Sequence, residues 1–371
     1  MPPLGLESIA SSVKDLCETI EIVDLRYEKK PLSHFFAKRP DAVLISINWY
    51  YEKKKVKRIV SSIPSKILTI VGGREATEKA DTFFSDCPNI DFIIRGEGDK
   101  AIVELLSGLK KEKIKGLSYR KGERIIHNPL RNITELNHFY DIDRSLRKYE
   151  YKFIINGLNL GHNVDGIFSS RGCPYNCKFC SFNFTPTGEK IKWRGRKPED
   201  VVNEIKKISS KIIIFLDENF TFNLKRVESI CDLLIKEKIK KFFVANSRIE
   251  ISKNPTVLSK MYKAGFRILT LGIESSQNHI LTRLKKGFTR EELEKGFKVL
   301  KQFKIFTHGY FIIGNINETE NEMLDTSNFA RKVGLYSLGV SNLRCAVSTP
   351  LYSEIKNTPG YYIDKKERVY S

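Results

Sequence analysis

The sequence predicts a two-part α/β protein, an open parallel sheet followed by six βα units that read as a parallel barrel or partial barrel. Three observations carry this. A length of 371 residues suits two domains at roughly 100–200 residues each. Short apolar runs alternate with amphipathic stretches along the whole chain, the pattern of parallel strands joined by crossover helices. The period of that alternation lengthens after an irregular, polar stretch carrying Pro129, which divides the chain into 1–127, a linker at 128–151, a barrel at 152–353 and a tail at 354–371.

In the first part, strands are expected at Ile20–Val23, Ala42–Ile47, Ile67–Val71 and Phe92–Ile94. Helical patterns lie near Leu6–Leu16, Pro31–Ala37, Lys54–Ser61, Glu75–Phe84 and Lys100–Leu109. Glycine turns at Gly72-Gly73 and Gly96-Glu97-Gly98 follow strand ends, where open α/β sheets place their ligands. Ile114–Tyr119 and Arg124–Ile126, joined across Gly122, read as a closing hairpin. In the second part, strands are expected at Gly166–Ser169, Ile212–Leu216, Phe242–Ala245, Ile268–Gly272, Thr307–Ile313 and Ser337–Ser341. Helices are expected at Pro198–Ile208, Leu224–Lys236, Thr256–Ala264, Arg290–Phe303 and Glu318–Val333. The chemistry of such a barrel belongs at the carboxyl ends of its strands.

Seven cysteines are too sparse for a disulfide scaffold, and an odd number cannot all pair. No apolar run approaches the roughly 20 residues that cross a bilayer, and the amino terminus lacks a signal-peptide core; a cytoplasmic protein with reduced thiols is expected. Cys173, Cys177 and Cys180 fall within one loop after the first barrel strand. Three thiolates can bind three irons of a [4Fe–4S] cluster and leave the fourth open for a substrate or cofactor. Structural zinc, the competing reading, favours a second cysteine pair downstream, and the later cysteines stand alone.

Cys173-x-x-x-Cys177-x-x-Cys180 in this position resembles the radical S-adenosylmethionine (radical SAM) superfamily, whose barrel is a partial (β/α)6 TIM-type fold. The resemblance implies that these cysteines hold the cluster and that the open iron binds the amino and carboxylate groups of SAM. Reductive cleavage then yields methionine and a 5′-deoxyadenosyl radical, which takes hydrogen from a substrate. Phe179 fills the place of the family's aromatic near the adenine. Where the family often carries Gly-Gly-Glu at the second strand end, this chain departs with Asp217, Glu218 and Asn219, candidates to hold the methionine amino group. Ser247-Arg248 resembles a basic contact to the cofactor carboxylate or ribose, although Arg248 has Glu250 nearby as an alternative partner. Gly272-Ile273-Glu274-Ser275 resembles the Gly-Ile-Glu-Ser signature of the family's cobalamin-associated branch, with Glu274 and Ser275 as site residues. Tyr310–Gly314 ends the fifth strand, where backbone near Ile312 and Gly314 would cradle adenine.

Residues 3–109 resemble the Rossmann-like cobalamin-binding domain of the same branch, through Pro3-Leu4-Gly5-Leu6, Asp41–Ser46, Val71-Gly72-Gly73 and Arg95-Gly96-Glu97-Gly98. The resemblance implies cobalamin at Ser46, Gly72, Gly73, Gly96, Glu97 and Gly98. Two departures stand out. The strand that usually precedes Pro3 is missing, so either the fold tolerates its loss or the chain begins upstream of Met1. The Asp-x-His-x-x-Gly motif that ligates cobalt is also absent, as it is in branch members that bind cobalamin without histidine and in members that bind none. With cobalamin, the implied chemistry is methylation of a substrate carbon radical; without it, rearrangement, ring formation or tRNA modification.

Of the formal net charge of +20, the second part carries +15, densest at Lys190–Lys197. That excess admits an anionic substrate among small-molecule, lipid or peptide candidates; nucleic acid is disfavoured, since most of the excess reads as solvated helix faces. An electron donor such as ferredoxin or flavodoxin is implied as partner. A non-catalytic metal-cluster interaction protein is the reading from another class, and it leaves the strand-end motifs unexplained. The six histidines show no metal-like spacing; His308, entering the fifth strand, reads as a satisfied or solvent-facing side chain, and Cys345 as a small buried residue.

Overall fold

The computed structural model describes residues 1–132, 142–155, 157–185, 188–364 and 366–370. They form two compact units, one from Pro3 to Glu150 and the other from Tyr151 onward together with Met1 and Pro2. No helix among the described residues is long and apolar enough to cross a membrane.

The N-terminal unit is a five-stranded sheet in the order β1 (Ala42–Ser46), β2 (Leu68–Gly72), β3 (Phe92–Ile94), β4 (Leu117–Lys121), β5 (Arg124–His127). The first three strands run parallel and the last two form the expected antiparallel hairpin. Its helices are α1 (Leu4–Val13), α2 (Leu32–Phe36), α3 (Lys53–Ser61), α4 (Arg74–Glu78), α5 (Ala80–Asp86) and α6 (Asp99–Leu106). Apolar residues at alternate strand positions bury against these helices, with Val71 and Ile93 packed on Phe83, Phe84 and Val60. The expected helix over Glu75–Phe84 breaks at Lys79, whose backbone leaves the helical region (φ −121°, ψ 32°). Ile20–Val23, expected as a strand, carries no ladder. Ile20 packs its side chain on the core while Glu21 turns out to Lys38, so the apolar run reports packing and not pairing.

The second unit is a seven-stranded sheet. An antiparallel hairpin, β6 (Lys152–Ile155) and β7 (Leu158–Ile167), leads in; the short ribbon β8 (Ser170–Arg171) and β9 (Arg194–Gly195) brackets the cysteine loop. Then come β10 (Ile212–Phe215), β11 (Phe242–Ser247), β12 (Phe266–Glu274), β13 (Phe306–Ile313) and β14 (Ser337–Asn342), all parallel to β7 in the order β14-β13-β12-β11-β10-β7-β6. Six parallel strands with open edges make a partial barrel. The first of them starts well before the expected Gly166, because Asn159, Gly161, His162 and Asn163 lack apolar alternation and an antiparallel hairpin can face water.

Helices α7 (Pro198–Lys207), α8 (Leu224–Lys236), α9 (Pro255–Ala264), α10 (Asn278–Arg283), α11 (Arg290–Leu300), α12 (Glu320–Val333) and α13 (Pro350–Lys356) follow in order. Their ends obey local rules. α7 starts on Pro198 with Glu199 and Asp200 in its first turn and Lys206 and Lys207 in its last, matching the helix dipole. Thr289/Glu292 and Thr319/Glu322 form reciprocal capping boxes on α11 and α12. Ile213, Phe215, Phe243, Ala245, Leu269, Leu271, Ile273 and Phe311 bury toward these helices in one core, so the intervening residues of each strand face the concave side. α13 runs across the expected boundary at 353/354. The segment beyond it is no loose tail: β15 (Tyr362–Ile363) pairs with β16 (Val369–Tyr370), and Tyr361, Ile363 and Val369 pack with Leu351 and Ile355.

Candidate active site

The cysteine loop is fastened on several sides at the carboxyl edge of the barrel. The amide of Lys178 donates to the carbonyl of Leu284 at 3.1 Å, and the amide of Leu351 to that of Lys178 at 3.2 Å; the Lys178 ammonium pairs with Glu354 at 2.7 Å. Lys190, from the basic run, donates to the carbonyl of Tyr175. Asp217, fully buried (0 % exposed), accepts from the amide of Ser169 at 2.7 Å and from the hydroxyls of Ser169 and Ser170. Burial raises its carboxyl above the ordinary range. It thus splices the end of β10 to the entry of the loop.

Cys173 and Cys177 are buried, Cys180 is partly exposed, and all three are free thiols. Burial pushes the Cys180 thiol up to about 11, with the charges of Cys177 and Cys173 adding to the effect, and raises Cys173 likewise. Surroundings that penalise the free thiolates of Cys173 and Cys180 favour a cation that accepts them. Three cysteine thiols in one loop are the donor chemistry of an iron–sulfur cluster, which takes one thiolate per iron. Cys231 and Cys345, each pushed up to about 12 by burial, are inert packing residues.

Around the loop, the sequence-predicted residues divide into two groups. Glu218 keeps its side chain exposed, while desolvation by the surrounding protein, helped by the Asp217 charge, raises its carboxyl to about 7. Phe179 and Ile312 lie on one apolar cluster with Ile280, Leu284 and Cys345. Gly314 takes a left-handed φ of 75°, with no atom within 4 Å of the Cβ it lacks. The second group is engaged by the protein itself. Asn219 accepts from Thr221 at 3.2 Å, and the Ser247 hydroxyl lies 2.6 Å from that of Thr221. Ser275 accepts from the amide of Gln277 at 3.1 Å. Arg248 pairs with Glu250 at 2.7 Å and also reaches Cys177 Sγ at 3.8 Å.

Glu274 sits at an irregularity in the β12–β13 ladder with φ 72°, an uncommon conformation for a residue with a side chain. Its carboxylate meets Lys286, 3 % exposed, at 3.1 Å, and the ammonium lies 5.8 Å from the Phe179 ring. Sequence reasoning missed Lys286, and it read Lys190 only as part of the basic run and not as an anchor of the cysteine loop. Lys286 lies in Lys285-Lys286-Gly287, which reads as an ordinary basic helix end. One register step deeper, Asn246, Thr270, His308 and Ser337 align across β11–β14. Thr270 donates to Asn246, and His308 Nδ1 lies 3.0 Å from the Ser337 hydroxyl. Burial lowers the basicity of His308. The arginines of the basic run turn inward, with Arg194 buried and Arg196 paired to buried Glu204, while Lys192 and Lys197 stay exposed.

In the N-terminal unit, three loops meet the carboxyl edge of β1–β3. Asn48 links Ser46, at 3.1 Å, to the amide of Arg74, at 3.2 Å. Gly73 (φ 99°) allows no side chain, since a Cβ would collide with the carbonyl of Ile47. The Gly96 amide donates to Thr77 at 3.1 Å, and the space beside Gly96 is open. Of the glycines on this edge, Gly96 leaves space open beside its backbone, room of the kind a large ligand such as cobalamin needs.

Residues 167–330 match the model of the radical SAM superfamily and residues 1–106 that of the B12 binding domain. A protein of Pyrococcus horikoshii described as an uncharacterized methyltransferase is 31% identical over 90% of this chain and 74% of its own. The chain belongs to the radical SAM superfamily, in its cobalamin-binding-domain branch. This radical SAM enzyme is also 26% identical to the hopanoid C-3 methylase of Methylococcus capsulatus over 81% of its own length. It is 28% identical to the anaerobic magnesium-protoporphyrin IX monomethyl ester cyclase of Cereibacter sphaeroides over 79%. It spans 58% and 49% of those two proteins. In fold it resembles the radical SAM methyltransferase TsrM of Kitasatospora setae, solved with cobalamin and a [4Fe–4S] cluster (TM-score 0.78, 16% identity, 98% of this chain and 74% of that one).

Proposed function

We propose that this radical SAM enzyme is a cobalamin-dependent methyltransferase that binds a [4Fe–4S] cluster through Cys173, Cys177 and Cys180. The observation that carries the reading is the fastened loop of three neighbouring, free thiols at the carboxyl edge of the partial barrel. When bound, the cluster supplies an electron that breaks the sulfonium of SAM, and cobalamin supplies a methyl group. The protein's own share is binding and orientation. Asp217 holds the loop to β10, and Glu218 receives the α-amino group of SAM. Phe179, Ile312 and the open backbone at Gly314 bound the adenine. Ser46 and the turns at Gly72-Gly73 and Gly96-Glu97-Gly98 take cobalamin. The row Asn246, Thr270, His308 and Ser337 contacts a small-molecule substrate on the concave face, with neutral hydrogen-bonding groups. A ferredoxin or flavodoxin supplies electrons, and the free thiols suit the reducing cytoplasm.

Anaerobic reconstitution tests the reading. Wild-type protein should take up iron and sulfide, show the broad visible absorption of a cluster, and form 5′-deoxyadenosine from SAM under reduction. Replacing all three cysteines by alanine should abolish the absorption; its survival would move the ligands elsewhere. Iron-loaded protein that forms no 5′-deoxyadenosine would refute the radical chemistry. S-adenosylhomocysteine formed beside 5′-deoxyadenosine identifies methyl transfer, and the visible spectrum after reconstitution reports cobalamin.

A further inference from the structure

Arg248 directly follows β11 at only 6 % exposure, and its guanidinium is committed to the protein. Nε and Nη2 donate to Glu250 at 3.0 and 2.7 Å. Nη2 also donates to the carbonyl of Lys286, and Nη1 points at Cys177 Sγ, 3.8 Å away. Its carbon stands 3.8 Å from the centre of the Tyr175 ring and 5.1 Å from that of Phe288. A guanidinium has five N–H donors. Four have these partners, and the Tyr175 side chain adds a further contact, so the protein takes most of the guanidinium that the resemblance assigned to the SAM carboxylate or ribose.

We propose that Arg248 is a positioning residue for the cluster, holding an N–H···S hydrogen bond and a fixed positive charge against Cys177 and so raising the cluster's reduction potential. The inference rests on the reading of Cys177 as a ligand. Potentials of such clusters depend on net charge, on hydrogen bonds to sulfur and on exposure, and the groups behind a ligand tune what it holds. Reduction adds negative charge, so a cation beside the sulfur stabilises the reduced form more than the oxidised one. The geometry directs that field. Glu250 takes the Nε–Nη2 edge, which leaves Nη1, the edge away from the carboxylate, toward the sulfur. Tyr175 and Phe288 clamp the planar face by cation–π contact. Lysine would keep the charge and lose both the fork and the stacking.

An EPR-monitored redox titration of the reconstituted full chain tests this without reference to turnover. Arg248→Met is expected to need at least about tenfold more reducing conditions for the same reduced fraction, about 59 mV for a one-electron couple. Arg248→Lys is expected to shift in the same direction by less. An unchanged potential in Arg248→Met at wild-type iron content overturns the proposal. If that variant fails to take up iron, the wild type decides. Pulsed ENDOR on its reduced cluster, in protein labelled with 15N-arginine, should show coupling to a guanidinium nitrogen and an exchangeable proton, and absence of that coupling overturns the proposal. Failure of the wild type itself to build a cluster sinks the assignment of the cysteines instead, a separate result.

Discussion

At the carboxyl edge of the N-terminal sheet the chain works with backbone, whereas at the carboxyl edge of the barrel it works with charged side chains. The first edge turns on Gly73 and Gly96, both at positive φ, and ties its loops through Asn48, Thr77 and main-chain amides. The second gathers Asp217, Glu218, Arg248, Glu274 and Lys286, four of them buried. Burying charge costs several kcal/mol per ion unless partners are placed well. The barrel edge meets that cost with defined pairs and hydrogen bonds, as ionic ligands demand, while the glycine edge offers shape to a large ligand. The two should therefore fail differently when altered.

The largest effect is expected at the barrel edge. Lys286→Met leaves the Glu274 carboxylate buried without its partner at 3.1 Å, and breaking such a pair typically costs about 3–5 kcal/mol. Denaturant unfolding should show a loss of that order, and the double variant with Glu274→Gln should recover part of it. A loss below about 1 kcal/mol would mean that water reaches the pair and that this edge is less dry than its geometry states.

A smaller effect, with a different signature, is expected at the glycine edge. Gly73→Ala forces a Cβ onto a backbone at φ 99°, against the Ile47 carbonyl. The backbone strain alone is of order 1–3 kcal/mol. Thermal unfolding should register it, and cobalamin retention after reconstitution should fall, while iron loading of the barrel stays at the wild-type level. Equal loss of iron would break the distinction drawn between the two edges.

What the sequence made legible follows the same division. Cys173, Cys177 and Cys180 share one loop, and the strand-end motifs are local, so spacing exposes them. Helices bounded by Pro198, Thr289 or Thr319 carry their stop and start signals within four residues. Lys286 and the Arg248–Cys177 contact depend on which strands neighbour each other, and no local pattern encodes that. Asp217 illustrates the limit within a motif: its neighbour Glu218 is exposed, while Asp217 turns inward to Ser169 and Ser170, a difference that depends on the loop packed against them and that no local pattern encodes. The start of β7 escaped because Asn159, Gly161, His162 and Asn163 interrupt its apolar pattern, and Ile20–Val23 misled because apolar character marks burial and not hydrogen-bonded pairing.

The finest test of the comparison concerns pH. Burial holds the Glu218 carboxyl at about 7 in the folded protein, against an ordinary value of 4.5. If it receives the SAM ammonium, binding needs the ionised form, so affinity should be lost as pH falls through about 7. The KM for SAM should then rise about tenfold per unit below that point and stay level above it. Stability runs the other way. Between pH 4.5 and about 7 the folded chain holds a proton that the unfolded chain releases, so this carboxyl lowers stability as pH rises across that window. Glu218→Gln should flatten the KM profile at its weak-binding, acidic level and remove this contribution to the pH dependence of unfolding. A variant that flattens neither would place the ammonium at another carboxylate. One that alters only the unfolding profile would leave Glu218 a structural acid, and the barrel edge would then meet its cofactor as the glycine edge does, with backbone.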